Sequence, residues 1–166
     1  MRRPLLTLVL SLLAAPLAAQ ENTVPNGSAI GNWVVNCEAV STTTTACTVR
    51  QTLSLTETNQ NLLRLIAAPR SDGGALLIAQ VPMGVHLPGG AVFRASGEDA
   101  APQREMVWQS CGGSVCEAAI LLTAEELAGL SSEPGHLFGY RLNATDDPLI
   151  LEVSLSDLAP ALDAIR

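Results

Sequence analysis

The sequence predicts an all-β fold, an antiparallel β-sandwich with one or two short helices. Three observations carry that prediction. Short runs alternate apolar with polar side chains, the period-two pattern of a strand with one buried and one wet face. Thirteen glycines and ten prolines punctuate these runs, which is the turn frequency of a many-stranded fold. Four cysteines fall into two close pairs, Cys37 with Cys47 and Cys111 with Cys116, and each pair flanks a reversal.

The chain opens with an address rather than with structure. Arg2 and Arg3 form a basic head, Leu5 to Leu13 an apolar run, and Pro16-Leu17-Ala18-Ala19 a small-residue approach to cleavage, so residues 1–19 are expected to be a signal peptide cut near Ala19. The apolar run is too short to span a bilayer comfortably. Residues 20–30 are polar, with Pro25 and Gly27, and are expected to be a flexible arm. Residues 31–166 then form one domain, since no linker or internal repeat divides them and the length suits a single core.

Within that domain Gly31 to Ala39 predicts a first strand, with Trp33, Val35 and Cys37 on its inner face. A Ser/Thr turn (41–45) returns the chain. The next strand alternates Cys47, Val49, Leu53 and Leu55 against Thr48, Arg50, Thr52 and Ser54, with Gln51 the one polar inner residue. Leu62 to Ala67 is a third strand, closed by the turn Ser71-Asp72-Gly73-Gly74. Ala75 to Val81 is almost wholly apolar and is expected to lie centrally, covered on both faces. A Pro/Gly-punctuated connector, 82–90, leads into a strand at Ala91–Ala95, and 97–102 reads as an exposed acidic loop.

Gln103–Cys111 and Val115–Leu122 predict a hairpin. With its turn centred between Gly113 and Ser114, Cys111 and Cys116 stand opposite one another, close enough for a disulfide. Thr123 and Glu126 have the spacing of a capping box for a helix over Thr123–Leu130, with Leu122 and Leu127 as its hydrophobic staple. His136–Asn143 and Leu149–Leu155 alternate again across an Asp146-Asp147-Pro148 turn. Ser156 is placed to cap a last helix carrying Leu158, Leu162 and Ile165 at helical spacing.

Composition excludes several chemistries. All nine basic residues are arginine, and a chain without lysine cannot form a lysine Schiff base or use a lysine general base. After loss of the leader, seven arginines face sixteen acids, a formal charge of −9. That surface is unsuited to phosphate contacts, so no nucleic acid is expected as a partner. No integral membrane span is expected after cleavage. Four cysteines allow three pairings; local geometry favours Cys37–Cys47 and Cys111–Cys116. Zinc is the competing use, but neither spacing is C-x2-C, and export into an oxidising compartment favours disulfides.

No residue is assigned a catalytic role, and neither metal nor cofactor is expected. His86 and His136 are the only histidines. A metal site or catalytic base would need one of them beside carboxylates or a nucleophile, and each reads as a structural or surface residue. Glu125-Glu126 suits the positive end of a helix, and Asp146-Asp147 suits a turn. Ser154 and Ser156 lack a local base. Trp33 and Trp108 read as core packing. Met83, Val85, His86 and Leu87, held between prolines and glycines, form the best candidate recognition surface, against the plainer reading of a stiff connector.

The order of these pieces resembles the invasion-associated locus B family of exported proteobacterial proteins. The resemblance rests on Gly31-Asn32-Trp33-Val34-Val35-Asn36-Cys37, on Cys47-Thr48-Val49-Arg50-Gln51, on the segment Pro82-Met83-Gly84-Val85-His86-Leu87-Pro88-Gly89-Gly90, and on the Cys111/Cys116 hairpin with its helix. The tail Leu151 to Ile165 also fits, so residues 31–163 are covered. The resemblance implies a periplasmic or otherwise envelope-located β-sandwich, linked in some pathogens to host-cell invasion, and it carries over no catalytic residues. An envelope or host protein is the partner it suggests. A small periplasmic hydrolase or ligand carrier is the alternative, and it would require His86 or His136 to meet an acid and a hydroxyl. The sequence assigns no oligomeric state.

Overall fold

Ten antiparallel strands carry the predicted alternation in the computed structural model, which describes residues 24–97, 102–133 and 135–166. The expected signal peptide, its cleavage near Ala19, the start of the arm and most of the acidic loop lie outside the described residues. The strands are β1 (Ala29–Ile30), β2 (Trp33–Ala39), β3 (Thr45–Ser54), β4 (Asn61–Pro69), β5 (Ala75–Pro82), β6 (Ala91–Ala95), β7 (Arg104–Gly112), β8 (Val115–Leu122), β9 (His136–Tyr140) and β10 (Leu149–Val153). Two helices, α1 (Ala124–Ser132) and α2 (Leu158–Asp163), complete the chain.

The two layers expected of a sandwich are the two ends of one curled sheet, in the order β1-β2-β3-β4-β5-β8-β7-β6-β9-β10. The fold turns on β7. Its first residues pair with β6 (Ala91↔Met106, Phe93↔Arg104), and the remainder pairs with β8 from Val107↔Ala119 to Gly112↔Val115. A register shift between Trp108 and Ser110 interrupts the ladder along this strand, and such a bulge sharpens twist and bends a strand.

One core fills the space between the layers. β2 to β5 turn their odd-numbered residues inward, so Trp33, Val35, Val49, Leu63, Leu65, Leu77 and Val81 are buried. β6 and β9 contribute Phe93, Phe138 and Tyr140 from the other side. Helix α2 buries Leu158, Ala161 and Leu162 against β2, β3, β4 and α1, closing one end. Trp33 is wholly buried, and Trp108 is half-buried against the same core, as packing residues should be.

Two polar ties join the layers. The Tyr140 hydroxyl donates to the Leu62 carbonyl at 3.0 Å. Leu62 is the residue skipped where the β3–β4 register passes from Leu53↔Leu63 to Ser54↔Asn61, so the bulge aims its carbonyl away from the ladder. Gln51, the polar residue on the inner face of β3, donates through Nε2 to the Ser154 carbonyl at 3.1 Å.

Both disulfides form as the local geometry favours, Cys37–Cys47 across β2–β3 and Cys111–Cys116 across β7–β8. Each joins residues directly opposite in register. Gly113, at φ +61°, supplies the left-handed conformation of the two-residue turn that few other residues adopt without strain. The capping box of α1 is complete: Glu126 N–H donates to Thr123 Oγ1 at 3.2 Å, and Thr123 N–H to Glu126 Oε2 at 2.9 Å. Leu122 and Leu127 are both buried.

Several expectations need correction. Residues 24–30 do not hang free: Gly27 N–H donates to Val35 O and Val35 N–H to Ser28 O, both at 2.9 Å, and β1 pairs with β2. The free edge of β2 offers unpaired backbone groups, and the arm satisfies them. Asn26 adds a side-chain bond, its Oδ1 accepting from Cys37 N–H at 3.0 Å. Leu55 lies past the end of β3 and is exposed, because the chain reverses at Asn59, a residue with φ +54°. Ser156 does not cap α2; its hydroxyl lies 2.9 Å from that of Ser154, and Asp157 takes the N-cap position without a side-chain bond. Finally, β5 is central but covered on its inner face alone, since Leu76 and Ile78 on the other face stay half-exposed.

Candidate functional site

His136 opens β9 between Ala95 of β6 and Val153 of β10. Alternation along β9 sends residues 136, 138 and 140 inward, and His136 is only 1% exposed. Neither ring nitrogen has a hydrogen-bond partner among the described residues. Burial holds the imidazole below its ordinary pKa, with Glu133 pulling weakly the other way, so the ring is neutral at pH 7.

The ring borders a cleft of about 620 Å³ at the open edge between the layers. One wall comes from Asn32 and from Gln51 to Leu53 on β3; the other comes from Ser96, Gly135 and Glu152 to Ser154. An imidazole, a carboxylate and the hydroxyls of Thr52, Ser96 and Ser154 thus share one cavity. They do not form a relay. Ser96 Oγ donates to Gly135 O at 3.1 Å, Ser154 pairs with Ser156, and His136 bonds to none of them. A hydrolytic base must reach its nucleophile by hydrogen bond, and the described geometry does not provide that link. Among the described residues no group of histidine, cysteine and acidic side chains is placed to hold a metal, and no helix is long and apolar enough to cross a membrane.

The second predicted surface lies elsewhere. Between β5 and β6 the chain passes through Gly84, at φ +94°, and a 3₁₀ turn at Leu87–Gly89. Two backbone bonds pin this connector: Met83 N–H to Ser114 O at 3.1 Å, and His86 N–H to Arg141 O at 2.8 Å. It is therefore tied both to the β7–β8 turn and to the end of β9. Met83 and Leu87 remain 50% and 41% exposed, whereas Val85 packs against the core and His86 is half-buried. The apolar part of the surface reduces to Met83 and Leu87, with Leu142 exposed beside Arg141. The two histidines stand on different parts of the fold and do not meet.

Sequence reasoning missed the burial of His136 because an imidazole between Gly135 and Leu137 carries no sign of which face is inward. The available signal was the inward set of the same strand, Phe138 and Tyr140, two and four residues on.

Comparison with known proteins places this geometry. The family model described as invasion associated locus B (IalB) protein matches residues 33–166. An invasion protein B homolog of Brucella abortus (strain 2308) is 29% identical over 167 residues, covering 95% of this chain and 87% of its own length. The homolog from Brucella abortus biovar 1 (strain 9-941) matches to the same extent. The crystal structure of invasion associated protein b from Bartonella henselae superposes with a TM-score of 0.68 at 18% identity, over 83% of this chain and 92% of that one. The chain belongs to the invasion-associated locus B family.

Proposed function

We propose that the protein is exported to the cell envelope and acts there by protein contact, without catalysing a reaction. The observation that carries this reading is the connector between β5 and β6, a rigid projection that presents Met83 and Leu87 to solvent. Apolar side chains held on a stiff, twice-anchored loop bind with little ordering cost. Export is supported by the leader-like residues 1–19 and by two cystines, which suit an oxidising compartment. The Brucella relatives are named as invasion proteins, and a role in host-cell invasion follows for this chain where its source is a pathogen.

Photo-crosslinking tests the reading. A photoreactive residue at Met83 or Leu87 should capture one defined envelope or host protein in cells, and Leu87→Asp should abolish the adduct formed from position 83. Amine-directed reagents are unsuitable, since only the N-terminus offers an amine. Adducts equal in pattern to those from a probe at Glu152, outside the connector, would overturn it. A ligand-carrying role is favoured by one feature, the polar cleft beside His136. It predicts that a small neutral polar ligand stabilises the protein against heat and that His136→Leu removes the effect.

A further inference from the structure

The outward face of the first layer carries a pattern that nothing described above uses. Residues outward on neighbouring strands align in rows across it. One row runs Arg50–Ile66–Ile78–Ala119–Val107, through β3, β4, β5, β8 and β7. The row on one side is Ala68–Leu76–Leu121, and the row on the other is Thr52–Arg64–Gln80–Glu117–Ser110. Two rows are thus largely apolar and open to solvent, with Val107 65% and Leu121 57% exposed. The third row is charged. Arg64 and Glu117 flank the central strand at equal distance, and neither forms an ion pair among the described residues. Arg64 Nε lacks any partner there, whereas Glu117 is held in place by Gln80 Nε2 at 2.7 Å.

We propose that this face is the interface of a two-fold dimer of the chain, with the axis running along β5. Rotation about that line exchanges the β4 side with the β8 side and leaves each row facing its own copy. Arg64 then lies over Glu117 of the second copy, and Glu117 over its Arg64, so each charge is paired and the dimer gains two ion pairs. The apolar rows match by size as well. Ile66 meets Ala119 and Ala68 meets Leu121, a large side chain against a small one each time, while Leu76 and Ile78 meet their own counterparts on the axis. Arg50 lays its aliphatic stem over Val107. Such alternation of large and small is what lets two sheets interdigitate at a spacing of about 10 Å. An axis across the strands instead would set the charged row on the apolar one, at a desolvation cost. The symmetry of the pattern selects one arrangement.

Five strands at about 4.8 Å spacing and three rows about 6.8 Å apart give a face on the order of 500 Å² per copy. Stable interfaces bury about 800 Å² per partner, so the dimer should dissociate measurably, with Kd in about the micromolar range. The exported protein, purified with its leader removed by the cell, is examined by sedimentation equilibrium from about 1 to about 200 µM, a range that brackets such a Kd. A monomer–dimer equilibrium is expected. Arg64→Glu or Glu117→Arg alone should raise Kd about tenfold or more by setting like charges together, and the two combined should recover most of the loss. Leu121→Asp should leave monomer. Circular dichroism verifies folding of each variant, and the charge pair decides the matter where Leu121→Asp fails to fold. Monomer throughout, or a dimer indifferent to both the charge swaps and Leu121→Asp, overturns the proposal; monomer that instead binds lipid vesicles through Leu121 overturns it in favour of a membrane surface.

Discussion

Replacing Tyr140 with phenylalanine removes a single oxygen, and the structure fixes what that oxygen does. The side chain is buried, and its hydroxyl is bonded to the Leu62 carbonyl, which the β4 bulge has turned out of the ladder. The ring would stay in place, so no cavity contributes. A net hydrogen bond is worth about 1 kcal/mol, and stranding a buried acceptor costs about 1–3 kcal/mol. Leu62 is only half-buried, so water recovers part of that cost. Tyr140→Phe should therefore lose about 1–2 kcal/mol, or about 3–8 °C in Tm for a domain of this length. Urea unfolding monitored by circular dichroism measures it, with the midpoint shifted and the slope unchanged. The same variant has an alkaline signature. Burial raises the phenol above its ordinary pKa, so the unfolded chain ionises first. Stability is complete below about pH 10 and falls as pH rises past the unfolded value, a slope that Tyr140→Phe should flatten. Tyr140 is the only tyrosine, so tyrosinate absorbance follows it without ambiguity. A variant within about 0.3 kcal/mol of the parent at neutral pH, too little for a lost buried bond, would refute the inter-layer tie.

Four further outcomes follow from the same structure. Converting both members of one cystine to serine should cost about 2.8 kcal/mol for Cys37–Cys47 and about 2.2 kcal/mol for Cys111–Cys116, from the entropy of the closed loops, checked by denaturant unfolding; equal stability of the cystine and serine forms would contradict it. Thr123→Ala breaks the capping box and should cost about 1 kcal/mol. The Glu126 carboxyl is held below its ordinary pKa, chiefly by the Thr123 N–H and then by Arg104, so its contribution is present above the ordinary carboxylate range and fades as pH falls through the folded value. Glu126→Gln should remove that acid-side loss in a pH series. His136, neutral and buried, predicts stability that is complete above about pH 6.5 and declines below it, as the unfolded chain takes up the proton first. His136→Leu should flatten the slope between about pH 6.5 and 5.

Much of this architecture was legible because the sequence alternates cleanly where one face is wet. The period of Cys47 to Leu53 reads directly as β3, and the spacing about Gly113 sets Cys111 against Cys116. Thr123 and Glu126 announced α1 by the same local logic. What stayed hidden depends on residues distant in sequence. Nothing around Leu62 marks it as a bulge, because the skipped residue is defined by where β3 ends. The pairing of residues 24–30 with β2 depends on an edge that exists only after the sheet forms. The apolar run of β5 suggested cover on both sides, since composition cannot distinguish a covered face from one left open. The cleft beside His136 joins β3, β9 and β10 and the segments that flank them, so no single stretch could have announced it. Met83 and Leu87 were legible as exposed; the loss of Val85 to the core was not.

The sharing of β7 between both layers bears on how the molecule comes apart. Two separate sheets held by side chains could peel open and leave one layer standing. Here the β6–β9–β10 layer cannot detach without breaking the pairing of β6 with the first residues of β7, a strand whose remainder is held by β8 through its ladder and the Cys111–Cys116 bond. Amide protons in β7 should accordingly be among the last to exchange with solvent, and their exchange should report opening of the whole molecule at once. Layers joined through one continuous strand give a protease few partly open forms to cut.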